Sequence, residues 1–307
     1  MPSAIKKLVT GLGKKNNPLL NTELVELSNL TPDEVEDFIG SWQAIKSERR
    51  QQILERLVEL AEDNLVLNFD AVFRHCLSDD YDKVRCKAIE GLWENEEAVL
   101  IEPLIEILEQ DESETVRASA AIALGKYAVL AELGKLREEY VSRVHEALLS
   151  AIINKKNSPE VNRRALEAVA PVSLPEVQEA IGEAYKSALP GFKTSAIYAM
   201  GKSCNNVWTP ILVRELSNAD AEVRYEAAGA CGEIEEEELV PYLINAVDDS
   251  DVDVRMAAIQ ALGKIGNSQA KECLRQCLES DNDAIRKMAE QVLGDIDTGE
   301  DPLDFQI

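Results

Sequence analysis

Histidine is nearly missing: two residues among 307 leave no imidazole cluster for acid–base catalysis or metal ligation. Six cysteines (Cys76, Cys86, Cys204, Cys231, Cys273 and Cys277) are too few for a disulfide scaffold and suit reduced thiols. Basic charge is short as well. Against 57 acidic side chains stand 32 basic ones, a formal charge of −25, which opposes binding to nucleic acid. No window approaches 18 uninterrupted apolar residues, and Met1 to Leu20 lacks the apolar stretch of a secretory leader. These absences predict a cytoplasmic protein with no stable membrane insertion. A glycine-rich phosphate loop and a nucleophile elbow are also missing, so no cofactor is implied. With only 3 Trp, 7 Tyr and 5 Phe, the 45% hydrophobic content rests on aliphatic residues, which favours helix-on-helix packing over a β-sandwich.

What the chain does have is internal repetition. An apolar residue followed by a cation recurs as Val84-Arg85, Val116-Arg117, Phe192-Lys193, Val223-Arg224, Val254-Arg255 and Ile285-Arg286, with a seventh unit at Val161-Asn162-Arg163. From 161 onward the anchors advance in four steps of 31 residues. Three positions after the cation position every unit carries alanine: Ala88, Ala120, Ala165, Ala196, Ala227, Ala258 and Ala289. Apolar residues at −1, +3, +4 and +7 trace one face of a helix, with the alanine where a neighbouring backbone comes closest. Glycine at +8 in five of the seven units reads as a helix stop. Short polar turns such as Asp249-Ser250-Asp251 supply N-caps. A preceding helix, as in Glu238 to Val247 with Leu239, Tyr242, Leu243 and Ala246 on one stripe, completes a helix–turn–helix unit. Such a pair cannot bury its apolar face alone, so the units are expected to stack.

The run Asp251 to Gly266, with Val254-Arg255, Ala258, Leu262 and Gly263, resembles the short HEAT repeats of the phycobilisome-lyase type. The resemblance spans about residues 63 to 296 and implies an all-α fold, a right-handed α-solenoid of about seven helix pairs with an N-terminal helical cap. It implies little about activity, because such repeats occur in scaffolds, adaptors, chromophore lyases and a hydroxylase. The hydroxylase resemblance would require several His-Glu dipeptides to hold two irons; this chain has one, His145-Glu146. The resemblance also implies that the repeated arginines pair with acidic turn residues, which makes Asp251 and Asp281 structural.

Four segments follow. Residues 1–20, with Lys6, Lys7, Lys14 and Lys15 and no acid, read as a flexible basic tail in which Gly11, Gly13 and Pro18 break any helix. Residues 21–62 fall outside the repeat and read as a helical cap: Thr31-Pro32-Asp33-Glu34 is a helix start, and Ile53, Leu57 and Leu60 share a face. The solenoid occupies 63–296, with an excess of 14 residues within 127–155 that predicts a lengthened or extra helix over Ala131 to Ile153. An acidic tail, 297–307, ends in Leu303, Phe305 and Ile307.

The second helix of each pair is expected to line the concave face, and offsets +1, +2 and +5 point away from its apolar stripe. Those offsets select Glu90, Arg163, Glu167, Tyr198, Tyr225, Glu226 and Gln260 as partner-binding residues. The implied role is a non-enzymatic scaffold or adaptor for a protein partner with a basic surface. The alternative, a bilin chromophore lyase or lyase subunit, follows from the resemblance alone. Cys273 and Cys277 lie four apart on a helix, but no second pair joins them as zinc ligands, so both read as packed thiols. The cluster from Glu233 to Glu238 reads as a solvated helix start.

Overall fold

The computed structural model describes residues 3–14 and 17–300, with side chains given up to 297. Lys15 of the basic segment and Leu303, Phe305 and Ile307 lie outside the described residues. Among those described there are 18 α-helices, joined by turns and short 3-10 segments, and no strand. They form two compact units divided after Ala168. Unit 1 contains α1 (Ala4–Leu12), α2 (Asn21–Leu24), α3 (Pro32–Trp42), α4 (Ser47–Asp63), α5 (Asp70–Cys76), α6 (Asp82–Gly91), α7 (Ile101–Gln110), α8 (Glu114–Glu132), α9 (Glu138–Ile153) and nearly all of α10 (Pro159–Val169). Unit 2 contains α11 (Pro175–Lys186), α12 (Phe192–Lys202), α13 (Thr209–Glu215), α14 (Ala221–Ile234), α15 (Val240–Ala246), α16 (Val252–Ile265), α17 (Ser268–Cys277) and α18 (Asp283–Glu300). Each unit is a stack of helix pairs in which second helices pack on second helices: α4, α6 and α8 in one, α12, α14, α16 and α18 in the other.

The repeated alanines sit in these seams, and all seven are inaccessible to solvent. The +8 glycines are not stops, and this corrects the reading from sequence. Gly125, Gly201, Gly232 and Gly263 lie inside α8, α12, α14 and α16. A Cβ on Gly201 would stand 2.6 Å from Ala230 Cα, one on Gly232 2.7 Å from Ala261 Cα, and one on Gly125 3.2 Å from Ala168 Cα. On Gly263 it would run into Val292. Each glycine therefore seats against the +6 residue of the next second helix, where no side chain fits between the two. The helices stop at +11 instead, where Glu235 and Gly266 adopt φ 60° and 61° as C-caps.

The repeated arginine makes a ladder. Arg85 grips both oxygens of Asp111 at 2.7 Å and donates to the Asp79 carbonyl at 2.8 Å. Arg224 repeats the arrangement on Asp249, at 2.7 and 2.8 Å, and on the Asn218 carbonyl. The acid lies six residues before the next unit's cation, so each bidentate pair links successive helix pairs. Asp251 is not the ladder acid; it caps α16, accepting from the amides of Asp253 and Val254.

Residues 21–62 share this geometry although their sequence hides it. Helix α3 starts in a capping box, the Thr31 amide and hydroxyl donating to Glu34 at 2.9 and 2.8 Å. In α4, Arg50 occupies the ladder position and meets Asp79 at 3.1 Å and Asp80, while buried Ile53 and Val58 stand where other units have alanine and glycine. The expectation of a helix-free tail is also corrected. Ser3 caps α1 through the Lys6 amide, and Ile5, Val9 and Leu12 are buried as α1 packs on α3. Gly11 lies within this helix, and Gly13 caps its end. The additional residues of 127–155 lengthen both α8 and α9, with the break at Gly134, φ 67°.

The buried residues of α15 are Val240, Leu243 and Ala246, with Leu239 buried just before it; Tyr242 is 46% exposed and lies off the stripe. Cys231, Cys273 and Cys277 are buried thiols, and burial pushes the Cys231 thiol up to about 12.

Candidate partner-binding surface

Offset +5 on a second helix is one turn before +9, so the two share a face. In unit 2 this face gathers four of the seven residues singled out from sequence. Tyr198, Tyr225, Glu226 and Gln260 line one cleft of about 230 Å³ between α12, α14 and α16. Tyr198 and Tyr225 remain 39% and 44% exposed, so both rings are open to a partner. Gln260 leans on Met288, its amide 3.8 Å from the sulfur.

The floor of the cleft comes from residues at +9 that the offset argument passed over. Glu233 accepts from Lys202 at 2.9 Å and from Lys264 at 2.8 Å, a charge-alternating bridge across three successive second helices. Burial opposes ionisation of Glu233, but hydrogen bonds from the two ammonium groups outweigh it and hold the carboxyl below the usual range. Lys202 also sits over the Tyr198 ring at 5.7 Å. Glu233 is thus not part of a solvated helix start. The signal was present in the sequence, since Lys202, Glu233 and Lys264 recur at +9 with alternating sign. An aromatic pair over an ion-paired floor can receive an apolar or cationic side chain of a partner.

The other three selected residues lie elsewhere. Arg163 pairs with Glu160 at 3.1 Å, and Glu167 with Arg164 at 2.7 Å, contacts internal to α10. Glu90 belongs to unit 1, where it pairs with Lys87 at 2.7 Å and lines a larger cavity of about 540 Å³ between α4, α6 and α8. Trp93 and Ile122 stand at this cavity, 58% and 45% exposed. Both could have been noticed, because Trp93 takes the +8 place held by glycine elsewhere and Ile122 is an apolar residue at +5.

Two further features bound the chemistry. Among the described residues no group of three or more His, Cys, Asp or Glu side chains is gathered to hold a metal ion. Nor, among them, is any helix long and apolar enough to cross a membrane.

Comparison with known proteins matches the family model of HEAT repeats at residues 71–142 and 209–294. Comparison with the curated proteins finds no match. Among solved structures, the complex of CpcE and CpcF of phycocyanin lyase from Nostoc sp. is similar at 16% identity. It covers 74% of this chain and 94% of that one, with a TM-score of 0.51. The Escherichia coli protein YibA matches at 18% identity over 81% of this chain and 98% of its own, TM-score 0.47. Human deoxyhypusine hydroxylase in complex with glycerol matches at 18% over 96% of both chains, TM-score 0.37. At 16% identity the likeness to the phycocyanin lyase complex speaks for the fold alone.

Proposed function

The chain belongs to the HEAT repeat family, and from that premise we propose that it is a non-enzymatic scaffold or adaptor that holds a protein partner on its second-helix face. One observation carries this reading: Tyr198 and Tyr225 stand exposed in one cleft with Glu226 and Gln260, over a floor locked by Lys202, Glu233 and Lys264. Exposed aromatic side chains on a preorganised surface are the usual centres of binding energy in protein interfaces. The acidic excess of the chain, −25 overall, favours a partner with a basic surface by steering and by discrimination against acidic competitors.

The test is quantitative affinity capture with the wild type and with the double variant Tyr198→Ala/Tyr225→Ala, checked for an unchanged circular dichroism spectrum. Specific partners should be lost or weakened by about tenfold or more in the variant. Identical partners at identical strength would refute the assignment. The lyase reading rests on the shared fold, and co-expression with a bilin and an acceptor protein tests it: formation of a fluorescent adduct would displace the scaffold proposal.

A further inference from the structure

The cavity of unit 1 has a composition that the cleft of unit 2 lacks. Its walls are apolar, with Val58, Phe69, Phe73 and Ile89 set below Leu65, Trp93 and Ile122 at its opening. Leu65 is 82% exposed and Trp93 58%, so large hydrophobic side chains meet water at the mouth. Exposed apolar area of this kind, concentrated at one concavity, marks a place where something binds. At about 540 Å³ the cavity has the size of a ligand site and can take a large aromatic side chain, which buries roughly 150–250 Å².

Charge identifies the occupant. Four lining residues are acids, Glu62, Asp70, Glu90 and Glu94, and none of the lining residues is basic. Nearby cations are already engaged: Lys87 is paired with Glu90. Lys126 is turned inward, its ammonium donating to the carbonyls of Leu92 at 3.0 Å, Trp93 at 2.7 Å and Asn95. Those three bonds fix the turn that carries Trp93, so the rim is preorganised rather than loose. The Asn95 amide is tied in turn to Asp70. An anionic ligand would meet the four carboxylates without a compensating lining cation, whereas a ligand with an apolar body and flanking cations matches both the floor and the rim.

We propose that the cavity between α4, α6 and α8 is a docking pocket for a partner's peptide segment, one that inserts an aromatic or branched aliphatic side chain and presents lysine or arginine on either side of it. The assignment rests on the scaffold reading and adds a second, chemically distinct contact point to it. The apolar anchor supplies the affinity, and the flanking cations supply the choice of partner.

The experiment pans a phage-displayed random dodecapeptide library on the full chain and measures synthetic versions of the enriched peptides by fluorescence anisotropy. Enriched peptides should carry Phe, Trp, Leu or Ile between Lys or Arg. Trp93→Ala and Ile122→Ser should each weaken them by roughly tenfold. Glu62→Lys with Glu94→Lys should weaken them further at low salt than at high salt. Tyr198→Ala/Tyr225→Ala should leave them within twofold, and circular dichroism should show every variant folded. Absence of an enriched family, or equal affinity for the Trp93→Ala and Ile122→Ser chains, overturns the pocket. Peptides lost in the tyrosine variant but not in the pocket variants would leave the scaffold reading intact and place their site in unit 2 instead.

Discussion

Two glycines three residues apart in α14 give a sharp test of how the helices pack. Gly232 faces α16, and a Cβ there would lie 2.7 Å from Ala261 Cα and 2.8 Å from Ala261 Cβ. Ordinary carbon contacts lie near 3.5–4.0 Å, so the overlap is about 1 Å against backbone that cannot rotate away. Substitution by alanine forces α14 and α16 apart, and a gap of even 0.5–1 Å forfeits about a quarter to a half of each dispersion contact along the seam. Such overpacking costs roughly 1–3 kcal/mol. Gly229 has nothing within 4 Å of its Cβ position. Alanine there adds only helix propensity and a less flexible unfolded chain, a gain of about 0.5–1 kcal/mol. The same propensity gain acts at Gly232 and partly offsets the clash, so Gly232→Ala should still fall below wild type and about 1–3 kcal/mol below Gly229→Ala. Urea melts followed by circular dichroism measure both. If Gly232→Ala is as stable as Gly229→Ala, successive second helices do not approach at the glycine, and the register of every repeat is misassigned.

Ala227→Leu and Ala258→Leu, each at a wholly buried seam position, should cost roughly 1–3 kcal/mol in the same melts, while Glu238→Ala, exposed on the surface, should cost under about 0.5 kcal/mol. Glu215 gives a pH signature. Burial raises its carboxyl, but hydrogen bonds from Lys193 at 2.7 Å, Tyr185, Asn218 and Arg214 outweigh this and hold it at about 2, against an ordinary 4.5. Between those values the unfolded chain binds the extra proton, so this contribution is fully present above about 4.5 and is lost as pH falls toward 2, with a slope of up to about 1.4 kcal/mol per pH unit. Stability against pH should be flatter over that window in Glu215→Gln; an unchanged slope would show that the carboxylate is not held ionised. Lys126→Met removes three carbonyl contacts from the turn at 92–95, and faster amide exchange confined to that turn is the expected readout.

The fold was legible because the repeat writes the same contact into seven units. Alanine at +3 is buried wherever it recurs, and Arg85 and Arg224 are paired alike, so periodicity alone located the second helices. The glycine misled because its helix-ending role is a local rule, whereas here a neighbouring helix excludes any side chain, and no local pattern reports what stands opposite. The same blindness affected the surface. Offsets named the tyrosines, yet the Lys202–Glu233–Lys264 bridge joins three repeats, and its logic appears only when units 31 residues apart are set side by side. Residues 1–20 were misread for a related reason: lysines and glycines suggest a tail until α3 is there to bury Ile5, Val9 and Leu12.

The two concavities differ because their seams are built from different residues. In unit 2 glycine and alanine let α12, α14 and α16 come into near-backbone contact, and the remaining cleft is about 230 Å³, floored by ion pairs. In unit 1, α4 carries Ile53 and Val58 at the corresponding positions, and the turn after the next helix carries Trp93 where a glycine would otherwise sit. Bulky side chains hold helix backbones further apart, since interaxial distance follows the residues at the contact. The space gained is not refilled: Gly91 leaves room for the Phe73 ring, and Ile122 and Leu65 stop at the opening. The bulky residues that hide α4 from the repeat pattern are therefore expected to be what opens the larger cavity. A chain with Ile53→Ala and Val58→Gly would test this directly. If α4 can close on α6, bound peptide should be lost while the Arg50–Asp79 contact survives; if the seam does not close, the bulky residues are not what keeps the cavity open.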